Sequence, residues 1–391
     1  MISVAQALDH VFDLIEPIES ERVSLRKAAG RVLREAIVAR RDQPPFPASV
    51  MDGYAVQDAD ITPGARLGVI GEAAAGHRFE GSVGQGEAVR IFTGAPIPDG
   101  ADRVVIQEDV TAAHGEIIIS GHVDPQRYIR PLGTDFKVGT QIDAGRILTP
   151  SDVALAASMN VPDVTVARRP VVALIATGDE LVMPGETPGT DQIIASNAFG
   201  LAAIVEAEGA EARVLPIARD TTASLEAVFA LAEGADLVVT IGGASVGDHD
   251  LVATVIASLG VDRSFYKVAM RPGKPLMAGR LGDAAMIGLP GNPVSSMVCG
   301  HIFLRPAIRA LLGLGKNALP RAKHILAAPL PANGPREHYM RATLLPDGRV
   351  TPAERQDSSL LSVLADANCL ILRPPHDPDQ HAGREVDVVR L

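Results

Sequence analysis

The sequence predicts a multidomain α/β protein: a parallel α/β domain joined to small β-rich domains and a barrel-like all-β domain at the C-terminus. Three observations carry this. From Pro170 to about residue 317, apolar strand-like runs alternate with amphipathic helices. Residues 64–123 and 319–391 carry short β-type runs separated by turn residues. At 391 residues, with 37 Gly and 29 Pro, the chain exceeds one compact core and is rich in tight turns.

Residues 2–15 read as a helix. Ser3 and Gln6 form a capping-box pair, and Val4, Leu8, Val11, Phe12 and Ile15 follow at helical spacing. The stiff run Asp42-Gln43-Pro44-Pro45-Phe46-Pro47 marks a boundary. Residues 66–70, 88–92, 103–107 and 116–119 read as strands, and 151–159 as a helix with Ser151 at its N-cap. After Pro170, strands at 171–176, 212–216, 237–241 and 284–289 alternate with helices at 198–208, 222–232, 251–259 and from Val294. Strands follow at 324–330, 338–345, 349–353, 369–373 and 386–391, with Pro346-Asp347-Gly348 as a hairpin turn. The expected division is 1–45 with 137–169 (an elongated, discontinuous linker domain), 46–136 (β-rich), 170–317 (α/β) and 318–391 (all-β).

Charge excludes some function classes. Lys plus Arg number 36 and Asp plus Glu 47, giving −11. That argues against non-specific nucleic-acid binding, which needs a basic face. The absence of Trp removes a stacking platform for single strands. The N-terminal segment has no basic n-region, so no signal peptide is expected. Residues 284–304 lack Asp, Glu, Lys and Arg, but Pro290 and Pro293 break them into strand, loop and helix rather than a membrane span. Cys299 and Cys369 belong to no CxxC and are expected reduced in the cytoplasm. With no paired cysteines and no H-x-x-x-H, zinc is not expected.

Loops 177–180, 242–250 and 290–295 stand at the carboxyl ends of strands, where α/β folds bind ligands. Gly242, Gly243 and Gly247 allow backbone N–H groups to approach a phosphate, although tight-turn packing is the plainer reading of the same glycines. Asp179, Glu180, Asp248 and Asp250 supply hard oxygens suited to Mg²⁺, or simply helix caps. His249 lies between the last two. Lys267, Arg271 and Lys274 form a basic run. On an extended strand Lys267, Ala269 and Arg271 would share a face, with Pro272-Gly273 turning the chain to present Lys274. Such a group suits an oxyanion, or protects a solvated edge strand.

Taken together, seven segments resemble the molybdopterin molybdenumtransferase family, MoeA, which includes the E domain of gephyrin. They are Met51-Asp52-Gly53-Tyr54-Ala55, Thr93-Gly94-Ala95, Thr177-Gly178-Asp179-Glu180-Leu181, Ser196-Asn197, residues 242–247, Pro272-Gly273-Lys274-Pro275 and Leu289-Pro290-Gly291-Asn292-Pro293. The resemblance covers the whole chain and preserves the order. It implies a cytoplasmic, elongated homodimer of four-domain subunits. Such a protein binds adenylylated molybdopterin, inserts molybdate with Mg²⁺ and releases AMP, at a site shared across subunits.

Carried over by position, the resemblance assigns chemistry to Asp52, Asp135, Glu180, Asp220 and Asp250, with Glu180 and Asp250 near the metal. Substrate contacts fall on Thr93, Thr177, Gly178, Asp179, Ser196 and Asn197, on Gly242, Gly243, Ser245 and Gly247, and on Pro290, Gly291, Asn292, Pro293 and Ser295. Molybdate contacts fall on Lys267, Arg271, Lys274, Arg341 and Ser358. The chain departs from the family pattern at Ala48, Val50, Ile241 and Arg271, where Asn, Ala, Ser and Lys are usual. Alternative readings are a MogA-like pterin adenylyltransferase, a gephyrin-type scaffold and a tungstate-selective paralogue.

Overall fold

Ser3 opens the first helix, α1 (Val4–Asp13), through the reciprocal bonds its sequence implies. Its hydroxyl accepts the Gln6 N–H at 3.2 Å and its own N–H donates to Gln6 Oε1 at 2.9 Å. Such a cap contributes about 1 kcal/mol. The helix buries Val4, Ala7, Leu8, Val11 and Phe12. The computed structural model describes residues 1–242, 255, 258 and 262–391. They form two compact units. One comprises Met1–Glu21, Gly30–Arg34 and Val166–Leu391; the other Arg22–Ala29 and Glu35–Thr165.

The second unit is built on a six-stranded sheet. Its strands are β1 (Gly53–Val56), β2 (Arg66–Ala73), β3 (Glu87–Ile91), β4 (Arg103–Ile106), β5 (Val110–Ala113) and β6 (Glu116–Ile119), in spatial order β4-β1-β3-β2-β6-β5. Only β2 and β3 run parallel. Alternation places Tyr54, Leu67, Ala88, Val105 and Ile117 in one core and Ala55, Val89, Ile91 and Val104 in another. Helix α2 (Pro150–Ser158) is capped by Thr149, not by the expected Ser151. Pro150 is pre-set for the first helical position, which moves the start back, and the Asp152 carboxylate accepts the Thr149 N–H at 2.8 Å.

The first unit carries the α/β sheet. Its members are β7 (Val171–Ala176), β8 (Glu211–Val214), β9 (Leu237–Ile241), β10 (Asp262–Tyr266), then β11 (Met270–Arg271), which joins another sheet, β12 (Met277–Leu281) and β13 (Ala284–Leu289). The order is β8-β7-β9-β13-β12-β10. Four strands are parallel, as the alternation predicts, and an antiparallel pair extends the edge. Helix α3 (Asn197–Ala207) is closed by Gly209 at φ +87°, and α4 spans Thr222–Ala230. The helix expected at 251–259 falls largely outside the described residues. Helix α5 (Pro293–Cys299) continues through a π-helical turn into α6 (Arg305–Leu311). Residues 284–304 are thus strand, loop and helix, and no helix among the described residues is long and apolar enough to cross a membrane.

One expectation fails here. Residues 267–271 do not form a single extended strand. Lys267 sits at φ +78° and ends β10. The Val268 N–H then bonds the Lys274 carbonyl at 3.0 Å and the Ala269 N–H bonds Ile2 at 2.8 Å. Strand β11 pairs instead with the C-terminal domain.

That domain contains β14 (Ala322–Leu326), β15 (Glu337–Leu344), β16 (Arg349–Pro352), the short helix α7 (Leu361–Ala365), β17 (Cys369–Arg373) and β18 (Glu385–Arg390). The sheet runs β11-β15-β16-β14-β18-β17, and pairing of β15 with β17 closes five strands into a barrel. Leu326, Met340, Ala342, Val350, Ile371 and Val388 fill it. Gly348 takes φ +83° in the expected hairpin turn. Cys299 and Cys369 are buried and free.

Candidate functional site

Parallel register places the ends of three strands together: Ala176 of β7 opposite Ile241 of β9, and Ile241 opposite Leu289 of β13. The loops that follow are stitched by backbone bonds. The Thr177 N–H reaches the Ile241 carbonyl at 3.0 Å, the Gly242 N–H reaches Leu289 at 3.1 Å, and the Gly178 N–H reaches Ala218 at 3.0 Å. Gly242, at φ +97°, has no room for a side chain, since a Cβ would lie 2.9 Å from the Thr177 carbonyl oxygen. Asn197 at the start of α3 donates from Nδ2 to the Gly291 carbonyl at 2.7 Å. Ser196 makes no side-chain cap there, and among the described residues no side chain caps the first N–H groups of α3, the kind of donors an anion can take. Asn292 caps α5, its Oδ1 accepting both the N–H and the hydroxyl of Ser295 at 3.3 Å. Pro293 occupies the first turn, and Pro290 is buried behind Gly291.

The carboxylates of this rim differ in what they already hold. Asp179 Oδ1 accepts the Asp220 N–H at 3.1 Å. Glu180 and the Asp220 side chain are exposed, and a Cβ on Gly178 would collide with the Glu180 carboxylate. Beneath them Arg219 Nη1 donates to the carbonyls of Gly178, Asp179 and Leu181, at 3.3, 3.1 and 2.8 Å. Sequence reasoning missed Arg219, whose only signal was a place beside Asp220. Gly243, Ser245, Gly247, Asp248, His249 and Asp250 lie outside the described residues. Among the described residues no group of three His, Cys, Asp or Glu side chains could hold a metal ion. Mg²⁺ characteristically takes one or two protein carboxylates together with substrate phosphates and water, and an exposed Glu180 beside these loops fits that donor set.

The cations arrive from two directions. Lys267 is half-buried, whereas Arg271 and Lys274 are exposed. The turn between the last two packs on α5, since a Cβ on Gly273 would collide with Cys299 Sγ. Arg341 is 2% exposed, its Nη1 donating to the Leu360 carbonyl at 3.2 Å. Burial lowers its pKa, opposed by the nearby Asp357. The Ser358 carbonyl accepts the Val294 N–H at 3.3 Å, which fixes Ser358 beside the first turn of α5. The first unit therefore gathers the strand-end loops around Gly242 and α5, with the Lys274 turn and Ser358 also on α5.

Asp52, Thr93 and Asp135 belong to the other unit. Thr93 donates both its N–H and its hydroxyl to Asp52 Oδ1, each at 2.8 Å. The N–H bond, then the hydroxyl bond, hold the Asp52 carboxyl below the ordinary carboxylate range. Asp135 is exposed and is fixed through its backbone, its N–H donating to Gln43 at 2.9 Å.

Comparison with known proteins follows this geometry along the whole chain. Residues 2–160 match the MoeA N-terminal region (domains I and II), 173–310 match a probable molybdopterin binding domain, and 323–391 match the MoeA C-terminal region (domain IV). A molybdopterin molybdenumtransferase of Nostoc sp. is 34% identical, with 100% of this chain and 94% of the relative aligned. One of Haemophilus influenzae is also 34% identical, over 99% of this chain and 98% of its own. A crystal structure of a molybdopterin biosynthesis MoeA protein from Pyrococcus horikoshii superposes with a TM-score of 0.85 at 31% identity, covering 100% of this chain and 99% of that one.

Proposed function

Since the chain belongs to the MoeA family of molybdopterin molybdenumtransferases, we propose that it inserts molybdate into adenylylated molybdopterin in a magnesium-dependent reaction that releases AMP. The observation that carries this reading is the gathering, within one unit, of three strand-end loops, an open α3 N-terminus, the exposed Glu180 and the Lys274 turn. Two anions, a nucleotide-linked pterin and molybdate, need that combination of N–H donors and cations.

In this reading the α3 N-terminus and the Gly242 and Gly291 backbones hold the phosphates. Arg219 keeps the 177–181 loop in shape without touching substrate. Glu180, Asp250 and phosphate oxygens would hold Mg²⁺, which supplies charge neutralisation at the diphosphate when bound. Lys274, with Lys267, Arg271, Arg341 and Ser358, orients molybdate. Oxo groups leave as water, so a carboxyl of the set Asp52, Asp135, Glu180, Asp220 and Asp250 delivers protons. The protein works as a cytoplasmic homodimer, with Asp52, Thr93 and Asp135 serving the site of a second subunit.

The test is AMP release from adenylylated molybdopterin with Mg²⁺, with and without molybdate. Release that requires molybdate is the expected result. Tight pterin binding without release under either condition overturns the reading, and transfer of AMP from ATP to molybdopterin replaces it with adenylyl transfer.

A further inference from the structure

A mostly buried imidazole lies on the barrel sheet. His338 on β15 is 7% exposed, and its imidazole makes no hydrogen bond among the described residues. Its surroundings explain the vacancy in hydrogen bonding. In register, His338 lies opposite Arg271 of β11 on one side and Arg373 of β17 on the other. Registered neighbours project from the same face of a sheet. Arg336, just before β15, adds a further positive charge near His338. Met340 and Ala342 continue that face into the barrel core, so the row closes one end of the barrel.

The charges on this face do not balance. Arg373 is 1% exposed; its Nε is matched by the Asp377 carboxylate and its Nη2 by the Pro378 carbonyl at 2.8 Å. Arg336 reaches the Met270 carbonyl at 3.3 Å, and Arg271 is exposed with no anionic partner among the described residues. Glu337 is not available, because it projects from the opposite face and accepts the Tyr339 hydroxyl at 2.7 Å. Burial, then Arg271, Arg373, Arg336 and Arg341, push His338 down to about 4, so it is neutral at pH 7.

We propose that the row Arg271–His338–Arg373, with Arg336, binds a small tetrahedral dianion, and that His338 takes up a proton as the anion binds. A bound dianion offsets the arginine charges and turns the imidazole into a second donor. Only Arg271 is shared with the molybdate reading, and the proposal does not rest on that reading. The sign follows from linkage: a proton taken up on binding weakens binding as pH rises, by up to tenfold per unit below the bound-state pKa.

The experiment is calorimetric titration of the full chain with sulfate, molybdate and a phosphate monoester, between pH 6 and 8, in two buffers of different ionisation enthalpy. Up to one proton taken up per anion is expected, corrected for the ester's own proton. Uptake with sulfate and molybdate identifies a free oxyanion. Uptake with the ester alone identifies a substrate phosphate. No uptake with any of the three overturns the proposal. His338→Gln should abolish uptake, and persistence there also overturns it. Lys274→Ala should leave uptake intact, and its loss would assign the anion to the strand-end site instead. In the folded wild-type protein, the His338 NMR titration midpoint should rise from about 4 when sulfate is added, and an unchanged midpoint refutes the coupling.

Discussion

Asp52 and Glu180 are both carboxylates on loops at strand ends, yet they are held in opposite ways. Asp52 spends one oxygen on two bonds from Thr93, joining segments 41 residues apart. The same clamp recurs at Thr149 and Asp152, where it caps a helix. Glu180 makes no side-chain hydrogen bond among the described residues and lies exposed over Gly178. One carboxylate ties two loops together, and the other makes no hydrogen bond of its own among the described residues. Two carboxylates at strand ends can therefore be held differently, and the hydrogen-bond partner tells them apart.

The sharpest way to break that contrast is Glu180→Ala. It should lower turnover on the order of 10²–10³-fold while leaving the melting temperature unchanged. A loss of melting temperature with turnover intact would make Glu180 structural. Gly242→Ala should act through the fold instead. It forces a side chain onto φ +97° and against Thr177, at a cost of about 1–3 kcal/mol, read as a lowered thermal midpoint. Lys274→Ala should raise the molybdate concentration needed for half-maximal turnover roughly tenfold, about 1.4 kcal/mol of lost charge–charge contact, with pterin binding little changed. An unaltered molybdate dependence would take Lys274 out of that role.

The smallest effect belongs to the clamped carboxylate. Asp52→Asn should lower stability at neutral pH, because the folded protein holds Asp52 below its ordinary pKa. The sign is that of a depressed carboxylate: its stabilisation is complete above the unfolded pKa of about 3.9 and is lost as pH falls through the folded value. The melting temperatures of variant and wild type should therefore differ at pH 7 and converge in acid. A difference that persists unchanged in strong acid would show that the clamp does not depend on charge.

Much of this architecture was legible because burial writes itself into pattern. The largely apolar runs at Val171–Ala176, Leu237–Ile241 and Ala284–Leu289 are the three central parallel strands, and their glycine-bearing ends are the rim of the site. What escaped was set by tertiary partners. Lys267 adopts φ +78° without being Gly or Asn, so nothing local announces the break in the basic run. Arg219 supports the Asp179 loop through carbonyl oxygens, which leave no mark in side-chain identity. Ser358 reaches α5 through its own carbonyl, a contact that spacing cannot encode. The Thr149 cap was readable in principle, since Pro150 at the first helical position puts the cap two residues before Ser151.

Strand β11 adds a constraint on how such a protein can be divided or recombined. It is encoded inside the α/β segment but hydrogen-bonded to β15 of the barrel. An excision between the two segments, near residue 318, would leave two edges unpaired: Met270–Arg271 on one fragment and Glu337–His338 on the other. Exchanging C-terminal barrels among relatives would likewise require the incoming β15 to accept the resident β11. The barrel is therefore best exchanged together with its donor strand.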